Sequence, residues 1–408
     1  LLDPGLGAPA LRDLLERERV GLVLTDGTCP ALAAPPDGPP VYDVRPALDA
    51  GPGHPPRPPA RRAGSVRRVR PGRLVVLTSG TTGAPRGADR GGVRAGQAVP
   101  VTTLVSRVPV RPGRPVVLLP PLFHGYGLGF LAVALAFGMP AVLTARFDAA
   151  RTTRLLADHP DAVLVAVPPM LDRIVRALPD GARAPVVRAV VSGAGPLHPA
   201  VSARVLSAFG PVLFNLYGST EEGWSTIATP ADLLAAPGTI GRPAAGVRVE
   251  VLDDDGRPVP DGVTGHLCVG SRLAFSQYTG GGTRRRRGGL ADSGDLGHRD
   301  PAGLLFVDGR ADDVVVTGGE KVVAREVADV LLSHPAVADA RVDGVPDEAF
   351  GARLVAVVVP EPGVGLDGLA DELTRFVAER LARHKVPREF TFTGELPVTP
   401  TGKHRRPS

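Results

Sequence analysis

Lysine is the scarcest charged residue in this chain of 408 residues: of 47 basic side chains only three, Lys321, Lys385 and Lys403, are lysine. The remainder is arginine, and with 51 Gly and 44 Pro this usage reads as a coding bias. The net charge of +5 is therefore weak support for a nucleic-acid partner. The basic run Arg284 to Arg287 has no interleaved aromatics and reads as a solvated loop. Two cysteines, Cys29 and Cys268, are too few for a disulfide framework and suit a reducing cytoplasm. No basic stretch followed by an apolar core follows Leu1, so no signal peptide is expected. Long apolar runs are also lacking. The uncharged stretch from Gly125 to Ala145 comes nearest to a membrane span, but Gly127, Gly129, Gly138 and Pro140 interrupt it. It reads as a buried helix over Leu128–Phe137, a turn, and a strand over Ala141–Thr144.

Apolar residues make up 43% of the chain, ample for a core, and the length allows two or three domains. Short all-apolar runs recur: Val116–Leu119, Val163–Val167, Val186–Val191 and Val212–Leu216. Helical patterns alternate with them, which points to an α/β fold of doubly wound parallel sheets. In such sheets ligands gather beyond the carboxyl ends of the strands. Beyond Gly238 short strands joined by Gly, Pro and Asp turns suggest a barrel-like subdomain. Past Asp312 stands a compact α+β pattern with a long helix over Leu366–His384. The expected domains are thus residues 1–311 and 312–408.

Four chemistry-bearing stretches fall at the expected strand ends: Leu77–Gly87, Phe123–His124, Ser192–Gly195 and Tyr217–Glu221. The first follows a strand and runs Thr78, Ser79, Gly80, Thr81, Thr82, Gly83, with Arg86 at its end. Hydroxyls alternate with glycines, so successive N–H groups and hydroxyls can wrap an anion. A Walker loop fails, because no Lys-Ser or Lys-Thr stands at the required spacing.

The stretch resembles the signature loop of the acyl-adenylate-forming, AMP-binding superfamily, with Arg86 where the family pattern has Lys. The likeness runs from Leu77 to Arg406 and is greatest to bacterial acyl-CoA synthetases of the fatty-acid–CoA ligase kind. Pro121–His124 is similar to the family's substrate gate, which gives His124 a role beside the substrate. Gly193 and Ala194 match a loop beside the acyl pocket and adenine. Tyr217–Gly218–Ser219–Thr220–Glu221 matches Y-G-x-T-E. The resemblance implies that Tyr217 lies by adenine, Thr220 touches phosphate and Glu221 holds Mg²⁺. Ser293–Gly294–Asp295 resembles [ST]-G-D, with Asp295 on the ribose hydroxyls. Gly309–Arg310 with Asp312 resembles the hinge, with Arg310 on nucleotide. Thr317–Val322 is similar to the loop lining the CoA tunnel through Gly318 and Gly319. Leu396–Lys403 matches the closing P-x-T-x-x-G-K, and Lys403 is the expected catalytic cation.

Two departures accompany these matches. His266 replaces the Glu of the family's G-E-L strand. Relatives also carry more chain before the position matching Leu1, so an N-terminal part of the large domain is expected to be missing. The implied activity is ATP- and Mg²⁺-dependent conversion of a carboxylic acid, of fatty type, to acyl-AMP and then to acyl-CoA, with coenzyme A as thiol. An acyl carrier protein as acceptor, and an inactive truncated relative that only binds nucleotide, are the alternatives. The helix with Gly127 and Gly129, and Trp224, belong either to the acid pocket or to simple core packing. No nucleic-acid partner and no membrane span are expected; the sequence leaves the oligomeric state open.

Overall fold

The computed structural model describes residues 8–17, 23–25, 41–43, 75–78, 86–89, 98–144, 146–179, 182–271, 277–278 and 285–396. In chain order the elements are α1 (Ala8–Arg17), β1 (Val23–Thr25), β2 (Val41–Asp43), β3 (Val75–Thr78), β4 (Arg86–Asp89), α2 (Ala98–Arg107), β5 (Val116–Leu118), α3 (Gly125–Ala136), β6 (Ala141–Leu143), α4 (Ala149–Asp158), β7 (Val163–Ala166) and α5 (Pro168–Arg176). Next come β8 (Ala189–Gly193), α6 (Pro199–Phe209), β9 (Leu213–Ser219), β10 (Gly223–Ala228), α7 (Pro230–Ala235), β11 (Thr239–Pro243), β12 (Val247–Leu252), β13 (Gly265–Ser271), β14 (Gln277–Tyr278), β15 (Arg286–Arg287), β16 (Leu290–Arg299) and β17 (Leu305–Arg310). A 3₁₀ turn (Ala311–Asp313) leads to β18 (Val314–Thr317), β19 (Glu320–Val323), α8 (Ala324–Leu332), β20 (Val337–Asp347), β21 (Gly351–Pro360), α9 (Leu369–Ala378), a second 3₁₀ turn (Arg383–Lys385) and β22 (Glu389–Phe392).

These elements form two compact units. The first takes Leu1–Ala95, Leu122–Gly125 and Phe275–Thr283, and the second takes the rest. In the first, β1 and β2 pair in parallel, and β3, β4 and β14 form an antiparallel sheet.

The second unit is built on one sheet in the order β12-β13-β16-β17-β11-β10-β9-β8-β7-β5-β6. From β6 to β9 every pairing is parallel. Residues of β8 alternate between two cores, with Ala189 and Val191 in one and Val190 in the other. That is why β5, β7 and β8 read as unbroken apolar runs: both faces are covered. α3 covers one face through Phe130 and Val133. Leu156 of α4, Leu171 and Ile174 of α5 and Val205 of α6 cover the other. Local signals start these helices. Asp148 accepts the Arg151 N–H at 2.6 Å to cap α4, and prolines open α5 and α6.

The expected barrel-like subdomain is the antiparallel half of this same sheet. It joins the parallel half through the β9–β10 hairpin and surrounds its own core of Ile240, Val249, Val251, Leu267 and Leu305. The expectation of a solvated Arg run is corrected in part: Arg287 is buried, and its Nε donates to Asp292 at 2.8 Å. His266, at the departing G-E-L position, joins that cluster, 3.2 Å from Asp254 and 3.7 Å from Asp292. Burial first, and then the charge of Asp292, push the Cys268 thiol up to about 12, so it is no nucleophile at neutral pH.

The chain past the first 3₁₀ turn forms a β18–β19 hairpin and a β20-β21-β22 sheet. α8 and α9 pack on the sheet through Val327, Leu331, Leu373 and Val377. The expected long helix is α9 alone. Gly368, left-handed at φ 74°, sets its start, and it ends at Ala378 before the turn in which Lys385 reaches Glu326 at 2.6 Å. Two ion-pair groups tie this sheet to the helices of the large one. Arg176 of α5 donates to Asp172 at 2.8 Å and to Glu361 at 2.9 Å. Asp329 of α8 pairs with His198, the residue that precedes α6, and with Arg325.

Burial pushes the Asp329 carboxyl up, but the bonds and charges of His198 and Arg325 outweigh it and hold it below its ordinary value. A carboxyl lowered in the folded state takes up its proton on acid unfolding, so its contribution is present above about pH 4 and lost as pH falls further. Asp329→Asn is therefore expected to flatten the loss of stability between about pH 5 and pH 2, by up to one proton in the uptake measured by urea unfolding against pH.

Candidate active site

β5, β7, β8 and β9 run in one direction, so their carboxyl ends share an edge. Two sequence stretches expected beyond strand ends are parts of strands instead. β8 runs on through Ser192 and Gly193, because these pair with Asn215 and Leu216. β9 includes Tyr217, Gly218 and Ser219, because β10 pairs back onto them. Ala194, just past β8, is left-handed at φ 61°. That conformation is costly for a residue with a Cβ and marks a place where the surroundings impose the backbone.

Asp295 is the centre of the observed constellation. β16 carries it, and β17 carries Arg310 directly opposite. Arg310 Nη1 donates to Asp295 Oδ1 at 3.0 Å, and the Tyr217 hydroxyl donates to Asp295 Oδ2 at 2.7 Å. Three stretches far apart in sequence thus meet on one carboxylate. Each of its oxygens keeps a second lone pair, so the group can still accept two hydroxyl donors from a ribose. Burial first, and then the Asp295 charge, raise the Tyr217 phenol well above its ordinary value, so it remains a donor. The motif glycine has a steric reason. Gly294 sits at φ 76°, and a Cβ there would stand 3.1 Å from the Arg310 guanidinium. Arg310 also lies 3.6 Å from exposed Asp312.

Beyond β9 the chain turns through Thr220, Glu221 and Glu222. The Ser219 oxygen accepts the backbone N–H groups of Glu221 and Glu222, at 3.2 Å each, and its hydroxyl donates to the Glu222 carboxylate. This local bonding shapes the turn and leaves Glu222 committed to Ser219. Glu221 is buried at 7% exposure, close to the Thr220 hydroxyl in sequence. A carboxylate with a neighbouring hydroxyl is the donor chemistry of Mg²⁺. Among the described residues no group of three or more His, Cys, Asp or Glu gathers to hold a metal. One protein carboxylate completed by phosphate oxygens is how Mg²⁺ commonly binds with nucleotides, so the residues fit the ion.

Other expected site residues distribute as follows. Thr78 ends β3 and Arg86 begins β4, and the two are register partners. Ser79 to Gly83 lie outside the described residues, as does Lys403. His124 belongs to the first unit, its ring centroid 4.6 Å from that of Phe123. Gly318 and Gly319, at φ 59° and 87°, form the two-residue turn of the β18–β19 hairpin, which demands positive φ at both positions. The Gly318 N–H donates to Phe350 O at 2.9 Å. Sequence reasoning did not single out Tyr126. Its hydroxyl donates to Val191 O at 3.0 Å, at the carboxyl end of β8. The available signal was its place two residues after His124, in a helix assigned to start later.

The chain matches the AMP-binding enzyme family over residues 1–279 and the AMP-binding enzyme C-terminal domain over residues 326–403. It belongs to the AMP-binding enzymes. Among its relatives, a sulfoacetate–CoA ligase of Cupriavidus necator is 34% identical over 82% of this chain and 65% of its own length. A fatty acid–[acyl-carrier-protein] ligase of Streptomyces coeruleorubidus is 30% identical over 80% of this chain and 65% of its own. The solved o-succinylbenzoate CoA synthetase of Bacillus subtilis, in complex with its acyl-adenylate intermediate, superposes with a TM-score of 0.81 at 25% identity, over 99% of this chain and 81% of that one. The chain thus spans 65% of the length of these two ligases. Among the described residues no helix is long and apolar enough to cross a membrane, in keeping with the reading of Gly125 to Ala145 as helix, turn and strand.

Proposed function

We propose that this chain activates a carboxylic acid with ATP, forming acyl-AMP and pyrophosphate, and then transfers the acyl group to coenzyme A. The observation that carries the reading is the meeting of Tyr217, Asp295 and Arg310, a ribose acceptor built from three motif segments. Named CoA ligases among the relatives support the same chemistry.

In the first step a carboxylate oxygen attacks the α-phosphorus, the new O–P bond forms and the bond to pyrophosphate breaks. The acid is ionised at neutral pH, so no general base is required. The Thr78–Gly83 loop with Arg86 holds phosphate, Thr220 donates to it, and Lys403 approaches the reacting oxygens. Bound at Glu221, Mg²⁺ would supply neutralisation of phosphate charge. Fixed donors at a developing charge are the largest contributors in such transfers. In the second step the thiol sulfur attacks the acyl carbon, AMP leaves, and the thiol proton passes to solvent. His124 gates the acid, and Gly318 and Gly319 border the thiol's path.

A carrier-bound phosphopantetheine is the rival acceptor, favoured by the acyl-carrier-protein ligase among the relatives. With preformed acyl-AMP, free CoA is expected to give acyl-CoA, whereas a thioester formed only on carrier protein would reassign the acceptor. The acid itself differs among the relatives, and a fatty acid is the reading retained here.

Residues 312–408 are proposed to turn as a body about Asp312 between the two steps, which would break the Arg310–Asp312 pair. Asp312→Pro fixes φ near about −65°. It is expected to slow the two half-reactions by clearly different factors in separate single-turnover assays. Equal slowing would remove the hinge from Asp312.

A further inference from the structure

β16 is irregular at the point where it carries Asp295. On its β13 side Asp292 pairs with Cys268 and Leu296 with His266, so Ser293, Gly294 and Asp295 stand against Leu267 alone. A bulge of this kind re-aims side chains, and here Asp295 meets Tyr217 and Arg310. Two bonds inside the bulge shape it. Asp292 Oδ1 accepts the Gly294 N–H at 2.9 Å, and Ser293 Oγ accepts the Asp295 N–H at 3.1 Å. The other oxygen of Asp292 is held from behind. Arg287 Nε donates to Oδ2 at 2.8 Å, and Nη1 of the same guanidinium donates to Asp254 O at 2.8 Å, in the turn after β12. Both side chains of the Arg287–Asp292 pair are more than nine-tenths buried. His266 closes the cluster, with Nε2 3.2 Å from Asp254 Oδ1 and Nδ1 3.7 Å from Asp292 Oδ2. The glutamate of the family's G-E-L strand would set a carboxylate beside those of Asp254 and Asp292, so the histidine goes with this arrangement.

A buried ion pair seldom adds stability over apolar packing of the same shape, so stability alone is a weak reason for this one. Geometry supplies another. A planar guanidinium with two nitrogens on two fixed acceptors has one orientation. The Asp292 carboxylate it grips then has one as well, and the Gly294 peptide follows from Asp292 Oδ1. Asp295 is the next residue. We propose that Arg287 is a positioning residue for nucleotide binding: through Asp292 it fixes the Gly294 peptide and so aims the Asp295 carboxylate at the ribose hydroxyls. The proposal rests on the adenylation reading above, in which Asp295 receives the ribose. It deepens that reading by naming a residue, engaged only by protein groups, that sets how sharply the ribose is recognised.

The test compares the dissociation constants of ATP and 2′-deoxy-ATP for the full chain by titration calorimetry. Both are measured on one preparation, so their ratio does not depend on the fraction folded. The parent is expected to prefer ATP by about tenfold or more, the loss that follows removal of one hydrogen bond to a charged acceptor. Asp295→Ala is expected to bring the ratio to about one, since the acceptor is gone. Arg287→Met is expected to cut the parent's preference at least about threefold, because a hydrogen bond weakens steeply as its angle is lost. Arg287→Lys keeps the charge without the fork and is expected to lie between. Arg287→Met leaves Asp292 a buried charge. Combined with Asp292→Asn it removes both charges and keeps an oxygen for the Gly294 N–H, and the combination is expected to show the same reduced preference. If the single variant does not fold, the combination decides. A parent-like ratio in whichever of these two folds, with Asp295→Ala near one, would overturn the positioning role and leave the ribose reading standing. A parent-like preference in Asp295→Ala, or no preference for ATP in the parent, would overturn the ribose reading and this proposal with it.

Discussion

Lys403→Ala is expected to lower acyl-AMP formation by ~10²–10³, the loss typical of one donor aimed at a transition-state charge. In a chain with three lysines among 47 basic residues, a lysine at the closing P-x-T-x-x-G-K position is a departure from the prevailing usage. The sequence around it, Pro397–Val398–Thr399–Pro400–Thr401–Gly402, offers little apolar anchor, so packing does not explain the residue. A compact ammonium between the acid's carboxylate and the α-phosphate cancels the repulsion of two anions as they meet. The second step, assayed from preformed acyl-AMP and CoA, is expected to proceed near the parent rate, because residues 312–408 are proposed to have turned away by then. Lys403→Arg is expected to rescue poorly, since a planar fork does not replace a point charge at a crowded phosphate. Adenylation at the parent rate in the alanine variant would remove the assignment.

Asp295→Ala is expected to raise the ATP dissociation constant on the order of 10²-fold, with circular dichroism unchanged. The carboxylate would accept both ribose hydroxyls, and bonds to a charged acceptor contribute ~1.5–3 kcal/mol each. It also joins Tyr217 at 2.7 Å to Arg310 at 3.0 Å, so alanine leaves two half-buried donors without their acceptor. Asp295→Asn keeps the shape and one acceptor oxygen, and is expected to fall between parent and alanine. Titration calorimetry with ATP separates the three. Unchanged affinity in the alanine variant would detach the ribose from this residue.

The parallel half of the sheet was legible because its central strands are buried on both faces. Val163–Ala166 and Ala189–Val191 are apolar at every position, and no helix period competes over so short a run. The antiparallel half was legible only in part. β16 carries Asp292, Ser293, Gly294 and Asp295, residues that in isolation read as a turn. Its order comes from tertiary partners: Arg287 on Asp292, and Arg310 and Tyr217 on Asp295. β10 was missed for a related reason, since Gly223–Trp224–Ser225–Thr226 shows no clean alternation and is defined by its pairing with β9. Asp295, Tyr217 and Arg310 were singled out through the motif resemblance, and the structure joins Tyr217 and Arg310 to the Asp295 carboxylate. Tyr126 was not singled out, because its seat depends on the absent Cβ of Gly193, far away in sequence and adjacent in space.

The central claim, acid-dependent adenylation, is tested most directly by pyrophosphate release from ATP by the full chain with a panel of carboxylic acids. The account predicts release that requires acid, ATP and Mg²⁺ together, with acyl-AMP recovered in equal amount when the thiol is withheld. Release that ignores the acid, or ADP and phosphate as products in place of AMP and pyrophosphate, would contradict it.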